Sequence, residues 1–360
     1  MLKKLQKLND NWVIFYDLFS KNGNGDSIRP LAEELRKQRP DMKFFFVSKT
    51  LKHIDMADEI IKPHTLRFNY VMYKAKYLLS PMGFPKKNKR EGQVWVQTWH
   101  GTPLKKLYLS REDTPKFRKD VKQFEKADFF CISCDFCKKA FGEAMLIKEE
   151  QFLPSGLPRN DILTNYDEKL VNSVKEELKL PKDKKVLFYC PTWRRYDYKA
   201  TLPFDMQKMK EALKEEYCLL IRSHAGKHQW VDCNDNPVNV EDGEFCFNVA
   251  NYRNIAHLYL ISDIHITDYS SSMFDFAILE KPQIFYAYDL EQYEKEFQLY
   301  FDYKDVICGD MPVNTDELID AVKNMQPNYE KIKGFKDRFC TYEKGDAAKK
   351  VIDAMLAKNN

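Results

Sequence analysis

The chain has 360 residues, 44% of them hydrophobic and 14% aromatic. That length builds roughly two domains of ordinary size, and the composition excludes a disordered chain. A formal charge of +4 carries no field that would argue for nucleic acid, and basic residues gather only locally, as at Lys86 to Arg90 or at Lys105 and Lys106.

The first eight residues place Leu2, Leu5 and Leu8 at every third position with lysines between. They read either as a short amphipathic helix on an anionic membrane surface or as a frayed, soluble start. No signal peptide is visible, and no apolar run approaches the roughly 18 residues that span a bilayer. Apolar runs then predict strands at 12–17, 43–48, 77–80, 94–99 and 129–133, with a helix at 28–37. The charged stretch 165–185 predicts one helix and a linker ending at Pro181-Lys182-Asp183. A second series of strands is predicted at 186–191, 218–223, 264–267 and 283–286. Helices at 204–213, 255–261 and 272–279 fall between them, and two more follow at 316–324 and 346–357. Strands alternating with helices indicate βαβ units and parallel sheets, and runs that are apolar throughout indicate strands covered on both faces. The expected organisation is an α/β chain. It has a Rossmann-like domain at 1–165 and a second Rossmann-like domain at 166–340. A C-terminal helix within 341–360 packs back across the domains.

Nine cysteines, an odd number scattered among apolar segments, fit reduced thiols in a cytosolic protein. Cys131, Cys134 and Cys137 form a C-x-x-C-x-x-C run with the look of iron–sulfur ligation. No fourth cysteine completes it, so the run reads as buried thiols, and no metal is expected there. No other metal cluster, phosphate-binding P-loop or dinucleotide fingerprint is present, and no cofactor is expected.

Ligands of parallel α/β sheets bind beyond the carboxyl ends of the strands. Three predicted strand ends carry unusual polar groups. At the first, His100 follows the strand and Gly101 follows His100. A histidine there serves as a general base or is simply bonded to a loop carbonyl. The second pairs Thr192 and Arg194 with Arg222 and His224 on neighbouring strands, cations that suit an anionic ligand. The third runs Thr267-Asp268-Tyr269-Ser270-Ser271-Ser272 into a helix start, which binds phosphate or is merely a capped helix.

Taken together, the strings resemble those of the CDP-glycerol glycerophosphotransferases of teichoic acid and capsule synthesis. The matching strings are Gln97-Thr98-Trp99-His100-Gly101-Thr102-Pro103-Leu104-Lys105, Leu157-Pro158-Arg159-Asn160-Asp161, Pro191-Thr192-Trp193-Arg194, Arg222-Ser223-His224 and Thr267-Asp268-Tyr269-Ser270-Ser271-Ser272-Met273-Phe274-Asp275. Pro282 and Phe285-Tyr286-Ala287-Tyr288-Asp289-Leu290 extend the match. The resemblance implies a GT-B-like fold, two Rossmann-like domains with parallel sheets facing a central cleft, with 1–165 the acceptor-side domain and 166–340 the donor-binding domain. It implies transfer of glycerol phosphate from CDP-glycerol, or a related CDP-polyol, to a polyprenyl-diphosphate-linked saccharide acceptor, with release of CMP. A CDP-ribitol-dependent transferase and a nucleotide-sugar glycosyltransferase are the rival readings, and oligomeric state stays open. His100 and His224 become the expected catalytic residues. Thr192, Arg194, Arg222, Thr267, Asp268, Ser270, Ser271 and Ser272 become expected donor contacts, and Gly101, Thr102 and Lys105 acceptor-side ones. The implied location is cytoplasmic, peripheral on the inner face of the cell membrane. Two strings depart from the family's pattern, Gln298-Leu299 before Tyr300 and Lys344-Gly345-Asp346-Ala347-Ala348-Lys349-Lys350 near the end.

Overall fold

Successive residues of strand β1 (Asn9–Tyr16) point to opposite faces. Val13 and Phe15 join one core with helix α1 (Ile28–Gln38), and Ile14 and Tyr16 join another with helix α2 (Leu66–Lys74). A strand apolar on both faces needs helices on both faces, which is why its sequence does not alternate with polar residues. The computed structural model describes residues 7–18, 25, 27–85, 88–111, 118–192, 194, 201–222 and 230–358. The chain forms two units, Met1–Thr164 with Phe339–Asn360, and Asn165–Arg338.

Among the described residues, the first unit builds a seven-stranded parallel sheet. Beyond β1 it comprises β2 (Lys43–Val47), β3 (Glu59–Ile61), β4 (Ala75–Ser80), β5 (Val94–Gln97), β6 (Phe129–Cys131) and β7 (Phe152–Leu153), in the order β3-β2-β1-β4-β5-β6-β7. The second unit holds five parallel strands, β8 (Lys185–Tyr189), β9 (Tyr217–Ile221), β10 (Cys246–Asn248), β11 (Ile264–Thr267) and β12 (Gln283–Phe285), in the order β10-β9-β8-β11-β12. In each sheet the order reverses beside its first strand, between β1 and β4 and between β8 and β11. Those switch points are where open parallel sheets leave a crevice for ligands.

The strands β3, β7 and β10 have three, two and three residues, too short to stand out as apolar runs. Helix α2 was also missed, because its exposed face carries Leu66, Tyr70 and Tyr73 and blurs the helical period. The helix expected at 272–279 is a five-residue α-helix, Ser272–Phe276, continued by a 3₁₀ turn, Ala277–Leu279.

The C-terminal helix, Ala347–Ala357, packs within the first unit against α1, burying Val351, Ile352 and Met355. Each buried side chain of this size is worth about 1.5–3 kcal/mol, against about 0–1 kcal/mol for each exposed pair such as Lys349 with Asp353. Burial therefore holds the helix. The Leu157-to-Asp161 string positions its start. The buried Glu343 accepts from the Leu157 N–H at 3.1 Å and from Asn160 Nδ2 at 3.3 Å. Asp161 accepts from the N–H groups of Ala347 and Ala348, both at 2.8 Å. Gly156 sits at φ 82°, and a Cβ there would lie 2.7 Å from the Tyr342 carbonyl oxygen, so the chain passes only over glycine.

Burial pushes the Asp161 carboxyl up to about 6, outweighing the two N–H groups that favour its charged form. The folded protein thus holds this proton more tightly than the unfolded chain, whose aspartate titrates near about 3.9. The stability tied to it is complete below about pH 4 and is lost as pH rises through about 6. Asp161→Asn removes the titration. Urea midpoints at pH 4.5 and 7 are expected to fall between the two values more in the parent than in the variant. An equal change in both proteins contradicts this reading.

Candidate active site

In the first unit the end of β5 turns sharply around two buried side chains. Gln97 Oε1 accepts from the Trp99 N–H at 2.9 Å, and its amide nitrogen donates to the Met82 carbonyl. Trp99 adopts a left-handed φ of 55° and Gly101 a φ of 139°. The bulky Trp99 holds that conformation because its ring is packed against Phe124, Phe130 and Phe141. The strand predicted to reach residue 99 therefore stops at Gln97. His100 is exposed and stacks on Trp99 at 4.1 Å. Its Nδ1 lies 3.0 Å from the Pro81 carbonyl oxygen, just beyond β4 at the switch point. A carbonyl only accepts, so the ring proton sits on Nδ1 and Nε2 carries the lone pair. The ring is thus bonded to a loop carbonyl, which fixes its orientation at the end of β5.

The acceptor-side trio divides. Gly101 supplies the turn. Thr102 is buried, and its hydroxyl lies 2.7 Å from Ser133 Oγ, so it braces the loop from inside. Lys105 is half-buried.

In the second unit, the ends of β9, β8 and β11 lie side by side and carry Arg222, Thr192 with Arg194, and Thr267 to Ser272. Arg194 does not offer a free cation. Its guanidinium contacts Asp289 at 2.6 and 3.0 Å, Asp268 at 2.8 Å and the Thr192 carbonyl at 2.5 Å. Burial alone would lower its pKa, but the two carboxylates outweigh that and raise it, so it stays charged. Its side chain is 4% exposed, and those of Asp268 and Asp289 are 1% and 7%. One cation and two anions cancel its attraction for phosphate, so the expected direct role of Arg194 gives way to one of clamping the loops. Asp268 completes the clamp, accepting from the Thr192 N–H at 2.8 Å. Tyr269 donates to Asp289 at 3.0 Å, and Tyr303 donates to the Asp268 carbonyl at 2.7 Å.

Thr267 and Ser272 also face inward. The Thr267 hydroxyl donates to the Cys190 carbonyl at 2.8 Å, and the Ser272 hydroxyl lies 3.4 Å from His265 Nε2. Burial pushes His265 down to about 4, so it is a neutral core histidine. Ser270 accepts from the Ser272 N–H at 3.2 Å, while Ser271 makes no side-chain cap bond to its five-residue helix. So short a helix adds little dipole, and any anion there is held by the individual N–H and hydroxyl groups. Two polar groups are less committed. Among the described residues Arg222 bonds only neutral carbonyls through Nη1, those of Val249 at 3.1 Å and Tyr252 at 2.7 Å, and no carboxylate pairs with it. The Thr192 hydroxyl is buried without a hydrogen-bond partner among the described residues. His224, the other expected catalytic residue, lies outside the described residues.

Residues 1–357 match the family model described as CDP-Glycerol:Poly(glycerophosphate) glycerophosphotransferase. The chain belongs to this family. A teichoic acid glycerol-phosphate transferase from Staphylococcus aureus is 31% identical, over 98% of this chain and 95% of that protein. A teichoic acid poly(ribitol-phosphate) polymerase from Bacillus spizizenii is 28% identical, over 90% of this chain and 53% of that protein. The wall teichoic acid polymerase TagF superposes with a TM-score of 0.88 at 30% identity, covering 98% of this chain and 90% of that one. A variant of TagF soaked with CDPG superposes with a TM-score of 0.87 at 28% identity, covering 99% of this chain and 90% of that one. UDP-GlcNAc 2-epimerase from Neisseria meningitidis, 14% identical with a TM-score of 0.54, shares the fold alone. This member of the glycerophosphotransferase family thus has a GT-B-like fold and is a teichoic-acid-type polyol-phosphate transferase.

Sequence reading of this family member missed Gln97, His265 and Asp289 as parts of the site. Asp289 had a signal, an acid directly after the apolar run 283–288. Gln97 and His265 had a weaker one, a polar residue inside an otherwise apolar strand. Among the described residues no cluster of three or more His, Cys, Asp or Glu is placed to hold a metal, and no helix is long and apolar enough to cross a membrane.

Proposed function

We propose that the chain transfers glycerol phosphate from CDP-glycerol to a hydroxyl of a polyprenyl-linked saccharide at an anionic membrane surface, releasing CMP. The acceptor oxygen attacks the β-phosphorus, the bond from that phosphorus to the bridging oxygen breaks, and CMP leaves. An alcohol is a weak nucleophile at neutral pH. A base that takes its proton is worth about a hundred- to ten-thousand-fold. His100 Nε2 suits that task, since the Pro81 carbonyl holds the ring in the required tautomer. Charge on the phosphoryl oxygens is met by Arg222, the Thr192 hydroxyl and the Ser270–Ser271 turn, with His224 as the second histidine. Arg194, Asp268 and Thr267 hold these groups in place. The glycerol-phosphate relative favours glycerol over ribitol, being more similar over more of both chains. Of the three leucines proposed for membrane contact, Leu2 and Leu5 lie outside the described residues. Leu8 packs beside Gly92, with its Cδ1 3.2 Å from where a Cβ on that glycine would stand, so it supports membrane contact less than its spacing did.

The observation that carries this reading is the buried, unpartnered Thr192 hydroxyl at the β8–β11 switch point. A buried hydroxyl left without a partner costs about 1–3 kcal/mol, whereas a hydrogen bond to a charged group returns about 1.5–3 kcal/mol. Thr192→Val is therefore expected to leave stability unchanged or slightly higher, while weakening CDP-glycerol binding about tenfold to a hundredfold. Calorimetric titration beside thermal unfolding reads both. Unchanged affinity removes Thr192 from the donor site.

A further inference from the structure

The sulfur atoms of Cys134 and Cys137 lie 3.7 Å apart. Cys134 is the N-cap of helix α3 (Asp135–Met145), and Cys137 is the third residue of that helix. The Cys137 sulfur is also 3.4 Å from Ser133 Oγ and 3.9 Å from Thr102 Oγ1. Thr102 stands two residues beyond His100, and its hydroxyl is bonded to the same Ser133. The two thiols thus touch each other and also touch the inner brace of the His100 turn.

We propose that Cys134 and Cys137 are an oxidisable dithiol whose closure to a disulfide loosens the turn that carries His100. A bonded pair of sulfurs is about 2.05 Å apart, so closure draws the Cys137 sulfur away from Ser133 and Thr102. It also removes both S–H donors from that network.

The pair is chemically unequal, as such a reaction needs. Burial raises the Cys137 thiol, but its hydrogen bonds with Cys134, Ser133 and Thr102 outweigh that and lower it. Cys134 is pushed the other way, first by its hydrogen bond to Cys137 and then by burial. The neighbouring Cys131, which lacks such a network, is held up at about 12 by burial. Whichever sulfur is oxidised first, the other lies 3.7 Å away to close the bond.

The oxidant is a hydroperoxide, small enough to reach buried thiols through local opening. The thiolate of one cysteine attacks one peroxide oxygen and the O–O bond breaks, giving a sulfenic acid and hydroxide. The thiol of the other then attacks the sulfenic sulfur and water leaves. Two thiols lose two electrons and two protons, and hydrogen peroxide becomes two waters.

The experiment uses the full chain with Cys233→Ser, which removes an exposed thiol from the background. It is treated with hydrogen peroxide or left reduced. Mass mapping is expected to show a Cys134–Cys137 disulfide, and peptides over residues 98–103 are expected to exchange hydrogen faster. CMP release should fall about tenfold and return on adding a dithiol reductant, since small misplacements of catalytic groups cost this much or more. Adding Cys134→Ser should abolish the disulfide and preserve activity in peroxide. Both thiols remaining free, a disulfide with unchanged exchange at 98–103, or equal peroxide loss in the Cys134→Ser protein would each overturn the proposal. The activity arm rests on the proposed reaction. If the reduced protein releases no CMP, that reaction fails, and the mass and exchange readouts still decide the dithiol.

Discussion

Replacing His100 with alanine is expected to lower turnover by about a hundred- to ten-thousand-fold while CDP-glycerol affinity stays within about twofold. The side chain is exposed and lies outside the hydrophobic core, so its loss should leave the fold intact. What disappears is the ring nitrogen proposed to receive the acceptor's proton. The groups assigned to the donor belong to the other unit, at the ends of β8, β9 and β11. The corresponding change at His224 should instead weaken donor binding along with turnover. Calorimetry of donor binding, run beside a CMP-release assay, separates the two variants. Normal turnover in His100→Ala would reduce that histidine to a loop-bonded residue.

The second large effect concerns Arg194. Arg194→Met removes the guanidinium that the buried Asp268 and Asp289 share. Removing one partner of a buried ion pair costs about 3–5 kcal/mol, a sizeable share of the about 5–15 kcal/mol that stabilises a typical domain. Urea unfolding should show a loss of that order in the second unit, and Arg194→Lys should rescue little, because a single ammonium cannot bridge both carboxylates as the planar guanidinium does. Changing Asp268 and Asp289 to Asn in the Arg194→Met background should recover part of the loss by removing two buried negative charges. A loss below about 1 kcal/mol would show that the three groups do not act as a clamp.

This clamp also shows where the sequence stops informing. Arg194 and Arg222 look alike in the sequence, each an arginine near an apolar strand end. Their difference lies in partners fixed by tertiary structure: Asp289 is 95 residues from Arg194, while Arg222 meets only neutral carbonyls among the described residues. Burial and pairing decide which arginine keeps charge for a ligand, and neither is written locally. Thr267 and Ser272 illustrate the same limit. Their hydroxyls suggested phosphate contacts, but Thr267 ends the buried strand β11 and Ser272 opens the buried helix that follows it, and both hydroxyls bond inward.

The elements themselves were more legible. Long apolar runs marked β1, β2, β4, β8 and β9, because strands covered on both faces tolerate few polar residues. The edge strands β3, β7 and β10 escaped because two or three residues make no pattern. His100 was legible for a different reason. A histidine followed by glycine directly after an apolar strand is a turn that places a polar side chain at a sheet end. What the sequence did not show was the Pro81 carbonyl that selects its tautomer.

The most direct test of the proposed reaction is CMP release by the purified full chain with CDP-glycerol and a polyprenyl-linked saccharide analogue. Parallel reactions contain CDP-ribitol, UDP-GlcNAc or no acceptor. The expected result is acceptor-dependent CMP release, greatest with CDP-glycerol, with glycerol phosphate recovered on the acceptor. Preferential use of CDP-ribitol would correct the donor, whereas transfer from UDP-GlcNAc with no reaction of either CDP-polyol would contradict the account.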